Sequence, residues 1–261
     1  MRPNPVRRAL KAGHTVVGSE LSRLRSPDVA RLYALAGFDF VFIDMEHSAF
    51  TLETVADMIA TARAAGIVPI VRIPQAEYPF ACRVLDQGAQ GIIVPRVNTP
   101  EQVGDIVSWM RYPPHGIRGY ASTAAQTDFA TVTPEAFIEA NNRETLCVIQ
   151  IERREALDYL DEMLSFPGVD VACLGYMDLS VDLGIPGQLE HPQMVSIIER
   201  IIAASNRHGI AAGIIGPQIE PIIHWMQKGI RFVSYSTETL LLQEAATSAV
   251  RRLKSAAMLR L

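Results

Sequence analysis

Residues 37–44 read GFDFVFID, a glycine followed shortly by an almost unbroken apolar run that ends on an acid. Glycine is favoured just after a helix because it adopts the left-handed backbone conformation easily. A nearly continuous apolar run, instead of an alternating one, is typical of a parallel strand that is buried on both faces. The stretch therefore predicts a helix end, a turn and a buried strand over residues 40–44.

The same pattern recurs along the chain, and two further apolar runs have the same character without the preceding glycine. The predicted strands are residues 15–18, 40–44, 69–72, 91–94, 146–151, 171–174, 211–215 and 231–235. Helical periodicity fills the intervals, over residues 28–36, 52–65, 78–87, 100–110, 154–164, 192–207, 217–227 and 240–259. Only residues 112–128, rich in proline, glycine and small polar residues, break the rhythm, and they predict a long ordered loop.

This alternation of strands and helices predicts the α/β class and, in particular, a (β/α)8 TIM barrel that forms a single domain over residues 1–261. A doubly wound open sheet is the main rival. Its dinucleotide-binding version is disfavoured because no G-x-G-x-x-G stretch follows the first strand.

The composition narrows the class of protein. Of the 261 residues, 49% are hydrophobic and 20% are charged, which argues against a disordered chain. The 24 basic residues against 28 acidic ones leave no surplus to follow a nucleic acid, and no apolar run is long enough to span a membrane. Three widely spaced cysteines without a C-x-x-C motif indicate reduced thiols in a cytoplasmic protein.

The lysines bear on the reaction mechanism. There are only three, Lys11, Lys228 and Lys254, and each lies before a strand or in the last helix, away from the predicted strand exits. A barrel enzyme that forms a Schiff base needs a lysine inside the barrel or at its mouth. Carbanion chemistry in this chain would therefore need a metal ion to accept the electrons.

Two acids follow neighbouring strands, Glu152 after the fifth and Asp178 after the sixth. Adjacent parallel strands lie about 4.8 Å apart, so carboxylates at their ends can share one divalent cation. Ligation by oxygen alone favours Mg²⁺ or Mn²⁺ over zinc. Two simpler interpretations stay open: Asp178 could cap the following turn, and Glu152 could pair with Arg153 or Arg154.

Two further polar residues follow the second and third strands. Arg72 ends an apolar strand, where its guanidinium could bind a carboxylate with two hydrogen bonds. His47 follows Asp44 and Glu46, and an imidazole beside a carboxylate can act as a general base near neutral pH. The alternative for His47 is an ordinary loop histidine bonded to the backbone.

Several of these segments together resemble a known family. GFDFVFIDMEH at residues 37–47 is similar to a signature of the HpcH/HpaI aldolases, which are class II, metal-dependent pyruvate aldolases. The similarity continues through residues 71–72, 85–95, 116–119, 150–152 and 178–180, and it covers roughly residues 10–255 in order. The resemblance implies a barrel lyase that cleaves a 4-hydroxy-2-oxo acid into pyruvate and an aldehyde, and that catalyses the reverse addition.

The resemblance also implies roles for the residues at the strand exits. Glu152 and Asp178 would be the ligands of a divalent metal ion (Mg²⁺, Mn²⁺ or Co²⁺), with no organic cofactor. Arg72 would bind the substrate and stabilise the developing pyruvate enolate. His47, assisted by Asp44, would be the catalytic base or would position a water molecule.

Further roles follow from the same resemblance. Asp86 would be a helix aspartate near the site at a subunit contact, and Gln150 would touch the substrate. The region of Ser122 and the backbone around Gly175 and Met177 would hold the pyruvate carboxylate. This chain reads GYMD at residues 175–178 where the family commonly reads GPAD, a change that affects the shape of the pocket and hence the choice of substrate.

Other interpretations of function and assembly stay open. The chain could be a related barrel lyase that acts on an acyl-CoA or another 2-oxo acid, or a non-catalytic barrel that binds a 2-oxo acid. The last predicted helix, residues 240–259, is rich in apolar residues. It could pack on its own barrel, or, as the resemblance implies, be exchanged between neighbours in a dimer-based homo-oligomer, up to a hexamer.

Overall fold

Eight parallel strands close into a ring in a computed structural model that describes residues 2–121 and 124–258. Each strand pairs with the next in chain order, and the eighth pairs with the first. The strands are β1 (Val16–Leu21), β2 (Phe40–Asp44), β3 (Val68–Arg72), β4 (Gly91–Val94), β5 (Leu146–Ile151), β6 (Val171–Leu174), β7 (Ala211–Gly216) and β8 (Ile230–Thr237). The predicted (β/α)8 barrel is confirmed.

Helices form the outer layer and cover the barrel. They are α1 (Pro5–Lys11), α2 (Asp28–Ala36), α3 (Leu52–Ala65), α4 (Tyr78–Asp86), α5 (Pro100–Met110), α6 (Pro134–Glu144), α7 (Arg154–Asp158), α8 (Leu160–Leu164), α9 (Tyr176–Asp182), α10 (Pro192–Arg207), α11 (Ile219–Lys228) and α12 (Glu238–Met258). A 3-10 turn at Ala124–Thr127 lies in the long loop.

The helix boundaries differ from the predicted ones in two ways. The single helix predicted over residues 154–164 is divided into α7 and α8, because the backbone of Tyr159 leaves the helical conformation with φ −108° and ψ 13°. Three short helices, α1, α6 and α9, were not predicted. In α1 and α6 a polar cap, Asn4 or Thr133, accepts a backbone N–H in the first turn just before a proline.

The GFD stretch shows how a helix is joined to a strand in this fold. Gly37 ends α2 with a left-handed backbone (φ +92°), and its N–H donates to the last carbonyls of the helix. Two residues later the Asp39 carboxylate accepts the Val17 N–H of β1 at 2.8 Å. The chain then enters β2 with Phe40 buried in the barrel. One short turn therefore stops the helix, reverses the chain and fixes β2 against β1.

The barrel interior is a packed apolar cluster that supports the mouth from below. Phe40 and Phe232 stack there with their ring centroids 4.6 Å apart. Helix α1 closes the bottom, because Val6 and Leu10 belong to the same buried cluster. Gly18 leaves room for this aromatic pair, since a Cβ at that position would lie 2.4 Å from the Phe40 ring. The mouth at the other end stays available for a functional site.

The last helix leaves the barrel soon after it begins. Leu241 is half-buried, but every side chain described from Leu242 to Ala256 is exposed. Beyond Leu241, this helix therefore does not pack along its own barrel. Among the described residues, no helix combines the length and the apolar character that crossing a membrane would require.

We expect Gly18→Ala to lower the free energy of unfolding by about 1–3 kcal/mol, because the added methyl group overlaps the Phe40 ring. Urea denaturation followed by circular dichroism measures the loss. The double variant Gly18→Ala/Phe40→Leu provides the control. The smaller side chain relieves the overlap, so its loss should be less than the sum of the two single losses. Additive losses would show that the two positions do not compete for space.

Candidate active site

A cavity of about 450 Å³ opens at the carboxyl ends of the strands, where barrel enzymes place their catalytic groups. Side chains or backbone from both sides of the barrel line it. The residues predicted for the site that line this cavity are His47, Arg72, Gln150, Gly175, Met177 and Asp178. These six residues come from four separate segments of the chain and are thus brought to one mouth.

A buried ion pair at the mouth joins the ends of β2 and β3. The Arg72 Nε–H donates to Asp44 Oδ1 at 2.7 Å, and the two residues are partners in the strand register. Asp44 is fully buried, and Arg72 is 6% exposed. The Arg72 guanidinium also lies 5.0 Å above the centre of the Phe42 ring. Burial by itself would lower the pKa of Arg72, but the Asp44 carboxylate raises it, so this guanidinium stays charged.

Asp44 also organises the loop that carries His47. Its two carboxylate oxygens accept the backbone N–H groups of Glu46 at 3.0 Å and of His47 at 3.2 Å. Asp44 therefore contacts His47 through its backbone N–H and not through its imidazole. The His47 side chain is 58% exposed at the rim, with Nε2 3.7 Å from Glu46 Oε2. Because Asp44 is committed to Arg72 and to two amides, Glu46 is the acid beside the ring.

Glu152 lies behind the cavity wall, where its side chain is almost completely buried. It is 2% exposed, and its Oε1 accepts the Arg96 N–H at 2.6 Å. Arg96 holds a left-handed backbone (φ +54°), an uncommon conformation for a residue with a side chain. Burial, together with the charges of Glu46 and Asp178, raises the pKa of Glu152 to about 7. The mutual repulsion of these carboxylates is the kind of strain that a bound cation relieves.

Gly175 allows Glu152 and Gln150 to approach the cavity. A Cβ at residue 175 would lie 2.4 Å from Glu152 Oε2 and 2.8 Å from Gln150 Nε2. The buried Oε1 of Gln150 has no hydrogen-bond partner among the described residues. Any side chain at residue 175 would therefore collide with these two side chains. Because residue 175 is glycine, the oxygen atoms of Glu152 and Gln150 can lie directly beside the cavity wall.

The simpler interpretations of the two acids do not hold. Arg153 and Arg154 approach Asp182, at 3.8 Å and 3.4 Å, instead of Glu152. Helix α9 has no side-chain cap at its start. Asp178 instead lies in the first turn of α9 and lines the cavity.

The acids near the mouth offer a small set of oxygen donors to a divalent cation. Within residues 2–121 and 124–258, no three His, Cys, Asp or Glu side chains group closely enough to bind one ion. Glu152 and Asp178 offer two carboxylates near the Gln150 Oε1, which has no partner in the described part of the chain. Mg²⁺ and similar ions are commonly held by one or two carboxylates, with water and substrate in the other positions. The residues present fit such an ion.

One residue predicted for the site lies elsewhere, and another falls outside the described residues. Asp86, at the end of α4, is not among the described residues that line the cavity. Its Oδ1 accepts hydrogen bonds from Arg118 Nη2 at 2.7 Å and from Gln126 Nε2 at 2.9 Å, so it anchors the long loop. Ser122 lies outside the described residues.

The structure adds Glu20, which the sequence did not indicate, and it also brings Ser236 and Tyr176 to the cavity. Glu20, near the end of β1, points into the mouth, with Oε1 4.0 Å from Arg72 Nη2. Ser236 lines the cavity on the neighbouring strand β8, and Tyr176 lines it beside Met177. The apolar pattern of β1 seemed to end at Gly18, two residues before Glu20, although the strand continues to Leu21.

A closed (β/α)8 barrel with ionisable side chains gathered at the strand ends has the architecture of a barrel enzyme. The family model described as HpcH/HpaI aldolase/citrate lyase matches residues 22–245. The chain is 32% identical over 243 residues to the hydroxypyruvate/pyruvate aldolase of Roseovarius nubinhibens, covering 93% of this chain and 94% of that protein. It is also 32% identical over 253 residues to the 2-keto-3-deoxy-L-rhamnonate aldolase of Escherichia coli (strain K12), covering 97% and 94%.

Among solved structures, the HpcH/HpaI aldolase from Desulfitobacterium hafniense DCB-2 superposes with a TM-score of 0.90 at 34% identity, covering 95% of each chain. This chain therefore belongs to the HpcH/HpaI aldolase/citrate lyase family. The relatives named above are aldolases, and the predicted class of carbon–carbon lyase is confirmed.

Glu20 makes the free energy of unfolding of the metal-free protein depend on pH. Burial, with the charges of Asp44 and Glu238 and against that of Arg72, raises the pKa of Glu20 to about 7. The folded chain then keeps a proton that the unfolded chain releases near pH 4.3. Between about pH 4.3 and about pH 7, the folded chain binds more protons at Glu20 than the unfolded chain does. The stability that comes from keeping Glu20 protonated is therefore complete below about pH 4.3 and is lost as the pH rises to about 7.

We therefore expect Glu20→Gln, which cannot ionise, to gain stability relative to the wild type by roughly 1–3 kcal/mol between pH about 5 and about 8. Urea denaturation at several pH values measures the difference. A difference that stays constant across this range would contradict the raised pKa.

Proposed function

We propose that this chain is a class II aldolase that reversibly cleaves 4-hydroxy-2-oxo acids into pyruvate and an aldehyde. The observation that carries the proposal is the arrangement of two carboxylates around Gly175: Asp178 lines the cavity that Arg72 also lines, and Glu152 lies directly behind the wall at Gly175. Such a site can bind a cation on one side and stabilise the charge of a substrate anion on the other. The names of the aldolase relatives agree with this chemistry.

Glu152 and Asp178 would hold the divalent ion, with the Gln150 oxygen nearby. When bound, the ion would act as a Lewis acid toward the 2-oxo group of the substrate. The alternative electron sink, a Schiff base, needs a lysine. All three lysines lie in the described part of the chain and none lines the cavity; Lys228, for example, pairs with Glu199 at 3.8 Å.

Arg72 would stabilise the negative charge that develops on pyruvate. Among the hydrogen bonds of the described residues, it uses only its Nε–H, toward Asp44. Its terminal amino groups are thus available to a substrate oxygen, while Asp44 holds the guanidinium plane in place. A donor that is fixed before the reaction stabilises a developing anion without having to reorganise.

His47 would move the proton of the 4-hydroxyl group. In the cleavage direction the base takes this proton, the C3–C4 bond breaks, and the aldehyde leaves. The electron pair of that bond stays on the pyruvate fragment as an enolate, which then takes a proton at C3. The exposed imidazole at the rim, beside Glu46, is accessible to the aldehyde end of the substrate. The backbone around Gly175 and Met177 would hold the pyruvate carboxylate.

A related lyase acting on an acyl-CoA is the second candidate, since the family description also covers citrate lyases. Such a substrate needs cationic side chains for its phosphates. Arg118 is buried with Asp86, and Arg96 Nη2 is held by the Pro74 carbonyl at 2.7 Å. These arginines do not form an open basic groove, which favours the aldolase.

The remaining expectations stay predictions. A homo-oligomer built through α12 is supported by the exposed apolar side chains of this helix, Leu242, Val250 and Leu253. A role for Asp86 in such an assembly would act through the loop that it anchors. The cytoplasmic location rests on the three free cysteines and the composition.

We expect Glu152→Gln and Asp178→Asn each to weaken Mn²⁺ binding by more than the roughly 10–100-fold that loss of an outer-shell partner causes. Electron paramagnetic resonance of free Mn²⁺ measures the affinity. Pyruvate release from 4-hydroxy-2-oxo acids should stop with EDTA and return with Mg²⁺, Mn²⁺ or Co²⁺.

Matched controls for these variants lie close by. Glu155→Gln changes an exposed glutamate in the first turn of α7, and Asp182→Asn changes the acid at the end of α9 that faces Arg153 and Arg154. Both should bind Mn²⁺ as the wild type does. Turnover that survives EDTA, together with borohydride trapping of pyruvate on the protein, would overturn the proposal. A wild type that binds Mn²⁺ but turns over no substrate would point to the non-catalytic barrel.

We expect Arg72→Lys to lower kcat/KM by roughly 10²–10³-fold, because lysine keeps the charge but loses the planar fork that Asp44 orients. Steady-state kinetics with a 4-hydroxy-2-oxo acid measures the loss. Arg83→Lys, an exposed change on α4, serves as the control. An unchanged kcat/KM in Arg72→Lys would remove Arg72 from the reaction.

A further inference from the structure

Glu20 and Ser236 define a polar patch on the side of the mouth opposite the carboxylates that would bind the metal. Glu20 is on β1, whereas Gln150 and Glu152 belong to β5 and the residue after it, four strands away around the eight-stranded ring. Both Glu20 and Ser236 line the cavity. A substrate that spans the mouth from β5 would therefore place its far end against this patch.

Glu20 is not needed to hold Arg72. The Arg72–Asp44 contact is 2.7 Å, whereas the closest contact between Arg72 and Glu20 is 4.0 Å. The Glu20 side chain keeps 13% of its surface exposed, toward the cavity. An acid that is mostly removed from water without a close ion pair is a costly feature unless it meets a ligand.

Ser236 is a second, independent sign of a ligand at this patch. The residue is 4% exposed, and its Oγ is buried without a hydrogen-bond partner among the described residues. Its backbone is held in the left-handed region (φ +59°), and the Ser19 Oγ donates to its carbonyl at 3.3 Å. The backbone that carries this hydroxyl is thus held on the cavity wall, and the hydroxyl lacks a partner among the residues that the structure describes.

We propose that Glu20 and Ser236 form the aldehyde-end subsite, which selects short hydroxyaldehydes and disfavours aldehydes that carry a carboxylate. The proposal rests on the proposed aldolase function. A substrate hydroxyl can donate to the Glu20 carboxylate and accept from the Ser236 hydroxyl, because hydroxyl groups do both. A substrate carboxylate can do neither without facing the negative charge that Glu20 carries at about pH 8, above its raised pKa of about 7, where the aldehydes are compared.

The surrounding charges strengthen this selection. The acids Asp44 and Glu238 act on Glu20 from the neighbouring strand and from the start of α12. The nearest cation, Arg72, is already bonded to Asp44 and lies 3.3 Å from Glu46. A second carboxylate at this patch would therefore meet the charges of Glu20, Asp44 and Glu238, and like charges in a partly buried site repel strongly.

The test compares aldehydes that add to pyruvate in the same enzyme. Glyceraldehyde, propanal and succinic semialdehyde are used, and kcat/KM is measured for each. All three aldehydes meet the same nucleophile, so the ratio of two kcat/KM values cancels any effect of a substitution on the pyruvate half of the reaction. The wild type should prefer glyceraldehyde to propanal by at least about tenfold, since an unmet buried polar group penalises the analogue that lacks the hydroxyl.

Two substitutions separate the two parts of the subsite. Glu20→Leu should lower the glyceraldehyde-to-propanal ratio by about tenfold or more, and Ser236→Ala should lower it by a smaller factor. Glu20→Gln keeps the shape and the hydrogen bonding but removes the charge. It should raise the succinic semialdehyde-to-propanal ratio by about tenfold while largely keeping the preference for glyceraldehyde. Glu199→Gln, on the outer helix α10, should move neither ratio.

The failure of this subsite can be told from the failure of the proposed function. Wild-type enzyme with metal and without aldehyde is incubated in D₂O, and deuterium entry into the pyruvate methyl group is followed by NMR. Exchange together with ratios that do not move in any Glu20 variant would overturn the subsite alone. Absence of both exchange and aldehyde turnover would overturn the proposed function, and the subsite with it.

Discussion

The ion pair between Asp44 and Arg72 couples the fold to the site. The two residues end neighbouring strands in register, both are buried, and their contact is 2.7 Å. Removing one partner of such a pair destabilises a protein by about 3–5 kcal/mol, because the other charge stays buried without compensation. Asp44 also binds the amides of Glu46 and His47, so the same carboxylate orients the guanidinium and shapes the loop that carries His47. The barrel end and the catalytic layout therefore depend on one contact.

On either side of this pair the mouth carries an acid whose charged form is disfavoured by burial. The pKa values of Glu152 on one side and Glu20 on the other are each raised to about 7, with burial as the first cause. A carboxylate in such surroundings contributes less to stability when it is ionised, and ligands can recover that loss. A cation beside Glu152 and a hydroxyl group beside Glu20 would each do so. The two sides of the mouth would thus bind the two ends of one substrate, one end through the cation beside Glu152 and the other through a hydroxyl group at Glu20.

The strands were the most predictable part of the fold because their apolar runs are bounded by glycine and by acids. The run at residues 40–44 was predicted with its observed ends, since Gly37 stops the preceding helix and Asp44 marks the barrel mouth. Strand β1 was predicted too short, because Ser19 and Glu20 interrupt the apolar run while their backbone still pairs with β2. Glu20 was missed for that reason.

The partners of the site residues could not be predicted from residue order. Arg72, His47 and Asp178 were expected at the mouth and line the cavity there. Whether Asp44 would bind the imidazole or the guanidinium depends on strand register and side-chain direction, which one sequence does not contain. The unpartnered Ser236 hydroxyl is likewise visible only after the strands are closed into a ring.

The most direct measurement of the central claim is anomalous diffraction from crystals of the protein soaked with Mn²⁺ and pyruvate. The account predicts one strong manganese peak between the carboxylates of Glu152 and Asp178, with unmodified pyruvate beside it in the cavity that Arg72 lines. A manganese peak away from these two residues, or pyruvate joined covalently to a lysine, would contradict it.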